Sequence, residues 1–158
     1  MSAPGERPSK HVEFQVPYDH YGKGGDDEDV EDSIGPYIQI SNPVDDISKM
    51  FDPDDIVFDF TKATLIIDYP LHTPAKFIIQ SSSDDGFTRK EIAEIVCEKY
   101  QIVYTEEDQE VGFGDAGAPS HADLGGFLLN RIATHGKYGI WGHSIGDLVL
   151  HTITANFP

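Results

Sequence analysis

The chain reads as a small α+β domain, and three observations predict it. Thr64-Leu65-Ile66-Ile67-Asp68-Tyr69 and Ala75-Lys76-Phe77-Ile78-Ile79-Gln80 are short apolar runs rich in β-branched and aromatic residues, joined by only Pro70-Leu71-His72-Thr73-Pro74. That spacing suits an antiparallel hairpin. Phe87-Thr88-Arg89-Lys90-Glu91-Ile92 then carries a complete helix start, and β-branched Val149, Thr152, Ile153 and Thr154 favour a last strand at 148–156. The expected architecture is a small, mostly antiparallel sheet of four or five strands packed against one main helix. It is expected to span residues 35–158, behind a disordered acidic tail at 1–34.

The tail follows from its composition. Asp26-Asp27-Glu28-Asp29-Val30-Glu31-Asp32 is a run of like charge with one apolar residue, too little to offset the entropy of ordering. One exception is the alternating Val12-Glu13-Phe14-Gln15-Val16, which fits a short edge strand stopped by Pro17, or a partner-packing segment. Order is expected from Gly35-Pro36, with a strand at Tyr37-Ile38-Gln39-Ile40 and a helical turn from Asp45 to Met50. After Asp52-Pro53-Asp54-Asp55, the alternation of Val57, Asp59 and Thr61 with Ile56, Phe58 and Phe60 predicts a strand with one polar and one apolar face.

In the helix start, Thr88 is placed to cap, Glu91 to reach back to it, and Phe87 to staple onto Ile92. Its apolar face collects Ile92, Ala93, Val96, Tyr100, Val103 and Tyr104, so the helix is expected to end near Tyr104. Cys97 flanks that face as a small buried hydrophobe, and a lone Cys closes no intrachain disulfide. Residues 105–121, acidic and then Gly-rich, are expected to form a loop, and Gly114 and Gly117 lack the Lys-Ser/Thr of a phosphate-binding loop. A second helix is expected at 123–134, stopped by Gly136.

Charge narrows the partners. Against 28 acidic residues stand 11 basic ones, a formal net charge of −17. Such a chain is repelled by DNA, RNA and anionic lipid, and is complementary to a basic protein partner or a metal cation. No stretch resembles a signal peptide or an apolar membrane span, so a soluble intracellular protein is expected, with cytosol and nucleus equally open.

Lys137 to His151 is the best candidate site, for it holds the only Trp, three of the 15 Gly and two of the seven His. Gly142-His143-Ser144-Ile145-Gly146 matches the G-x-S-x-G turn that presents a nucleophilic Ser in α/β-hydrolases, with Ser144 as nucleophile and His151 as its partner. That fold needs an acid and a base well downstream, and only 14 residues follow Ser144. A second alternative takes His143, Asp147 and His151, spaced by four, as ligands to a divalent metal on one helix face. With a turn and strand expected here instead, the favoured reading needs neither catalysis nor cofactor: Tyr138, Trp141 and His143 form a partner-binding surface between glycines.

The helix start Phe87-Thr88-Arg89-Lys90-Glu91, taken with Tyr138-Gly139-Ile140-Trp141-Gly142-His143 and Asp147-Leu148-Val149-Leu150, resembles an uncharacterised family of large DNA viruses and some protists. The resemblance covers roughly residues 63–153. No activity is attached to that family, so the resemblance implies a shared fold and no mechanism. Ser144 and Gly146 depart from its pattern, where an acidic residue is expected at one of the two, and this counts against a catalytic Ser144. The function expected from the sequence is therefore a non-enzymatic interaction module, binding a protein partner or a second copy of itself.

Overall fold

A computed structural model of the chain describes residues 9–17, 34–35, 37–114, 117–118 and 131–156. Its elements, in order, are β1 (Ser9–Glu13), β2 (Val16–Pro17), β3 (Ile34–Gly35), β4 (Ile38–Gln39), α1 (Val44–Lys49), β5 (Ile56–Phe58), β6 (Lys62–Ile67), β7 (Ala75–Gln80), β8 (Phe87–Thr88), α2 (Arg89–Glu110), β9 (Val149–Leu150) and β10 (Thr152–Asn156). All strand pairings among the described residues are antiparallel, and α2 is the one long helix among them, so the class is α+β. No helix among the described residues is long and apolar enough to cross a membrane.

The predicted hairpin is present as β6 and β7, in register from Lys62↔Gln80 to Ile67↔Ala75. Period 2 sends Leu65, Ile67, Ala75 and Ile79 into the core and leaves Thr64, Ile66, Lys76 and Ile78 exposed. The ribbon continues below as β5 paired with β8, with a register shift between Ile56 and Phe58. That shift breaks the alternation expected over residues 56–61: Val57 and Phe58 are both buried, since a bulged strand turns consecutive side chains to one side. Phe58 stacks on Phe60 at 5.1 Å, and Phe60 meets Phe87 edge-on at 5.9 Å. Gly86 makes the close crossing of this ribbon feasible, for a Cβ there would lie 2.0 Å from the Phe58 carbonyl oxygen.

Thr88 caps α2 as expected, its hydroxyl accepting the Glu91 N–H at 3.0 Å. The Glu91 carboxylate instead takes the Ser82 N–H and hydroxyl, closing the turn before the helix rather than the capping box. α2 also runs six residues beyond the expected stop at Tyr104, to Glu110. Residues 105–110 read as a polar loop because their partners, described below, come from much later in the chain. Cys97 is buried, and burial, with Asp46 adding to it, pushes its thiol up to about 12.

The first and last described strands meet in one seam. The C-terminal stretch, expected as one strand, is interrupted at His151, so that β10 pairs with β1 while β9 pairs with β4. Phe14 N–H donates to the His151 carbonyl at 3.0 Å where the two pairings hand over. The alternating Val12-Glu13-Phe14-Gln15-Val16 segment thus joins the domain: Val12, Phe14 and Val16 are buried, and the folded residues reach back past the boundary expected at Gly35. Residues 26–32, the acidic run, lie outside the described residues, as do 123–130 of the expected second helix. Its last residues, Arg131 to Thr134, are extended instead: Arg131 bridges Gly142 and Thr134 N–H donates to the Ile140 carbonyl.

Because Phe14 is fully buried in the seam, Phe14→Ala is expected to destabilise the protein by about 3–5 kcal/mol, read as a lowered urea midpoint. Thr88→Ala, which removes one cap, is expected to cost about 1 kcal/mol in the same assay. An unchanged midpoint in Phe14→Ala would place β1 outside the cooperative fold.

Candidate functional site

The last turn of α2 is acidic, with Glu106, Glu107, Asp108 and Glu110 and no basic residue. Carboxylates at a helix C-terminus oppose the helix dipole, so this arrangement requires compensation from elsewhere. The loop at 136–139 supplies it. Glu107, fully buried, accepts N–H bonds from Gly136 at 2.9 Å, Tyr138 at 2.9 Å and Gly139 at 3.2 Å. Glu110 accepts from Lys137 N–H at 2.7 Å, and Glu106 from the Tyr138 hydroxyl at 2.6 Å. A side chain at Gly136 would put its Cβ 2.6 Å from a Glu107 oxygen, so the glycine lets the loop close on the carboxylates without displacing them. Burial acts to raise the Glu107 pKa, but the amides of Tyr138, Gly136 and Gly139 and the Thr134 hydroxyl outweigh it and hold the carboxyl below its ordinary value.

Next to this knot, buried Asp108 receives a two-armed ion pair from buried Arg131, at 3.3 Å and 2.5 Å. The guanidinium also donates to the Thr134 hydroxyl at 3.3 Å and lies 5.1 Å from the centre of the Tyr104 ring. Arg131 therefore ties the loop's first strand-like leg to α2. A polar cleft of about 480 Å³ opens beside it, lined by Gln101, Tyr104, Asp108, Arg131, Ser144 and Ile145 among others.

The loop in turn receives the tip of the β6–β7 hairpin. His72 N–H donates to the Tyr138 and Gly139 carbonyls at 3.1 and 3.0 Å, and Thr73 N–H to Tyr138 at 2.9 Å. Leu71 bridges Ile140, and Trp141 N–H donates to the Pro70 carbonyl at 3.1 Å. This docking brings Tyr69 against Trp141, edge to face at 5.4 Å, and His143 completes the cluster at 5.8 Å from Tyr69 and 6.0 Å from Trp141. Two tyrosines one turn apart on α2 hold its backbone from beneath. Tyr100 donates its hydroxyl to the Tyr69 carbonyl at 2.9 Å, and Tyr104 donates to the His143 carbonyl at 2.8 Å. Burial keeps both phenols protonated, with Tyr100 pushed up to about 12 and Tyr104 higher still.

Of the residues expected to form a partner surface, Trp141 and His143 are half-buried and meet in this cluster. Tyr138 is a correction: it is 5% exposed, its hydroxyl is bonded to Glu106, and it belongs to the core. Tyr69, 48% exposed, takes the third place. It was hidden from sequence reasoning because it lies some 70 residues away, and its one signal is an aromatic beside a proline at a hairpin tip.

The hydrolase-like motif takes a different form from a nucleophile elbow. Ser144 is in ordinary extended backbone, φ −71° and ψ 153°, ahead of a three-residue 3-10 turn, Ile145–Asp147. A strained strand-to-helix turn is what that chemistry uses. His151 packs its ring 3.9 Å from Tyr37 and bonds the Thr152 hydroxyl. For the metal alternative, the turn and the strand after it leave His143, Asp147 and His151 without a common helix face. Among the described residues no three His, Cys, Asp or Glu side chains are grouped to hold an ion. Comparison with models of known protein families, with curated proteins and with solved structures gives no match. What fold and site define is thus an α+β domain with a braced aromatic surface.

Glu107→Gln is expected to destabilise the fold at neutral pH by about 1–3 kcal/mol, because an amide nitrogen would face backbone donors. The sign with pH follows from the lowered pKa: the Glu107 contribution is whole above the unfolded value of about 4.3 and is lost as pH falls through the lower folded value. Urea melts at neutral pH and in acid should therefore converge for wild type and variant as acid is added.

Proposed function

We propose that the domain is a non-enzymatic interaction module whose Tyr69–Trp141–His143 surface binds a basic segment of a protein partner. The observation that carries this reading is the partly exposed aromatic cluster whose backbone is fixed from below by Tyr100 and Tyr104. Rings already held in place lose little freedom on binding, and Trp and Tyr are the residues that concentrate binding energy at interfaces. The kind of partner follows from charge. Exposed Asp68 directly precedes Tyr69, exposed Asp147 lies four residues after His143, and the whole chain carries −17. Aromatic faces among carboxylates suit Lys and Arg side chains, through cation–π contact and long-range attraction. The likeness to an uncharacterised family of DNA viruses and protists adds a proposed fold kinship and no activity.

Trp141 is the only tryptophan, so its fluorescence reports on this surface alone. Titration with an oligo-lysine or oligo-arginine peptide should change its emission, and an oligo-glutamate peptide should not. Tyr69→Ala leaves the carbonyl that Tyr100 holds, and should weaken the basic peptide by roughly 10-fold without shifting the melting curve. Silent emission with basic peptides, or equal affinity in Tyr69→Ala, would overturn the proposal.

A further inference from the structure

The β6–β7 hairpin has only itself to pair with among the described residues. Ser81 N–H donates to the Thr61 carbonyl at 2.8 Å, which makes 61 and 81 a hydrogen-bonded pair. Alternation along an antiparallel ladder then gives the inward bonds to 63·79, 65·77 and 67·75. The N–H and C=O groups of Lys76, Ile78 and Gln80 therefore point outward along the free edge of β7, and those of Lys62, Thr64 and Ile66 along the free edge of β6. Both edges are six residues long and regular in register. Ile78 at 73% and Ile66 at 56% are among the most exposed large apolar side chains. An exposed edge of regular register with an apolar residue at its centre is a template for another strand.

We infer that the β7 edge pairs with the β7 edge of a second copy of this chain, joining two hairpins into a four-stranded antiparallel sheet. This inference is independent of the aromatic-surface reading. Charge selects the occupant. The sequences of β6 and β7 hold two Lys and no acidic residue, in a chain with 28. Here the strands themselves add no carboxylate to the repulsion between two acidic copies. The strand is also complementary to itself: antiparallel pairing about Ile78 sets Ile78 against its symmetry mate and Lys76 against Gln80, so the edge lysine meets no like charge. The same lysine discourages basic strands and misregistered pairings, the usual role of an edge lysine. On the outer face Ile66, diagonal to Ile78 across the hairpin, extends the central Ile78 pair into one apolar stripe over both copies.

Light scattering on the full chain should give a mass that rises with concentration toward twice the monomer's. The dimer should strengthen between roughly 0.05 and 0.5 M salt, because screening relieves the repulsion of two −17 chains. Ile78→Lys, at an exposed position, should be monomeric at the same concentrations with an unchanged circular dichroism spectrum. A short bifunctional thiol reagent should cross-link Ile78→Cys and leave Thr64→Cys, on the opposite edge, uncross-linked. Buried Cys97, its thiol held protonated, gives no background. A wild-type chain that stays monomeric, a dimer that survives Ile78→Lys, or cross-linking confined to Thr64→Cys would each overturn the inference. An association abolished by Trp141→Ala but not by Ile78→Lys would overturn it too, and assign the contact to the aromatic surface.

Discussion

The buried Glu107 carboxylate, gripped by the backbone amides of residues 136–139, is the constraint on which the rest of the site depends. Four acidic residues at the end of a helix would repel one another and the helix dipole in water. Folding turns that liability into a fastening, since amide donors and the Arg131 guanidinium need acceptors as much as the carboxylates need donors. Each half of the arrangement would be unfavourable alone: a carboxylate stripped of water, or loop amides with no partner. Together they fix the position of a loop that contributes few apolar side chains of its own. Helix length follows from the same interaction, because residues 105–110 gain their partners only when that loop is in place.

From that fastening the order of the site is transmitted outward. The loop offers its 138 and 139 carbonyls and the edge at 140–141 to the tip of the hairpin, and so decides where Tyr69 sits. Tyr100 and Tyr104 then pin the two segments of the aromatic cluster, at the Tyr69 and His143 carbonyls, to the same helix whose end grips the loop. A change at Glu107 and a change at Tyr69 should therefore differ in kind. The first releases the platform, whereas the second removes a ring from a platform still standing. The seam between the first and last described strands plays a comparable part elsewhere in the domain, where β1 and β4 share the stretch of β9 and β10.

Local patterns were legible in the sequence wherever one segment contained both partners of an interaction. The hairpin strands, the Thr88 cap and the turn of helix at α1 rest on periodicity or on residues three apart, and all are present. What stayed hidden was the work of distant partners. The extension of α2 past Tyr104 depends on amides some 30 residues later. Arg131 to Thr134 carry helix-compatible residues, yet backbone pairing with 140–142 and the Asp108 ion pair hold them extended. Trp141 and His143 drew attention as a rare aromatic among glycines. The role of Tyr138 as core and of Tyr69 as surface could not be separated without the hairpin tip lying across the loop.

Charge sets the terms on which this surface meets others. With 28 carboxylate residues spread along the chain, long-range attraction favours cationic partners almost anywhere, so a net charge by itself directs nothing. Specificity requires short-range features, and the domain has two of opposite character. The aromatic cluster lies among carboxylates, where attraction and ring contact act in the same direction and salt weakens both approach and capture. The hairpin edge lies in strands that hold no carboxylate, where backbone pairing and apolar contact act against the general repulsion, and salt favours contact. The hairpin connects them: its tip positions Tyr69 while its flank remains open, so occupation of the edge leaves the aromatic surface in place. Two copies joined along β7 would present two such surfaces, and a basic chain long enough to reach both would be held more tightly than either surface alone could hold it.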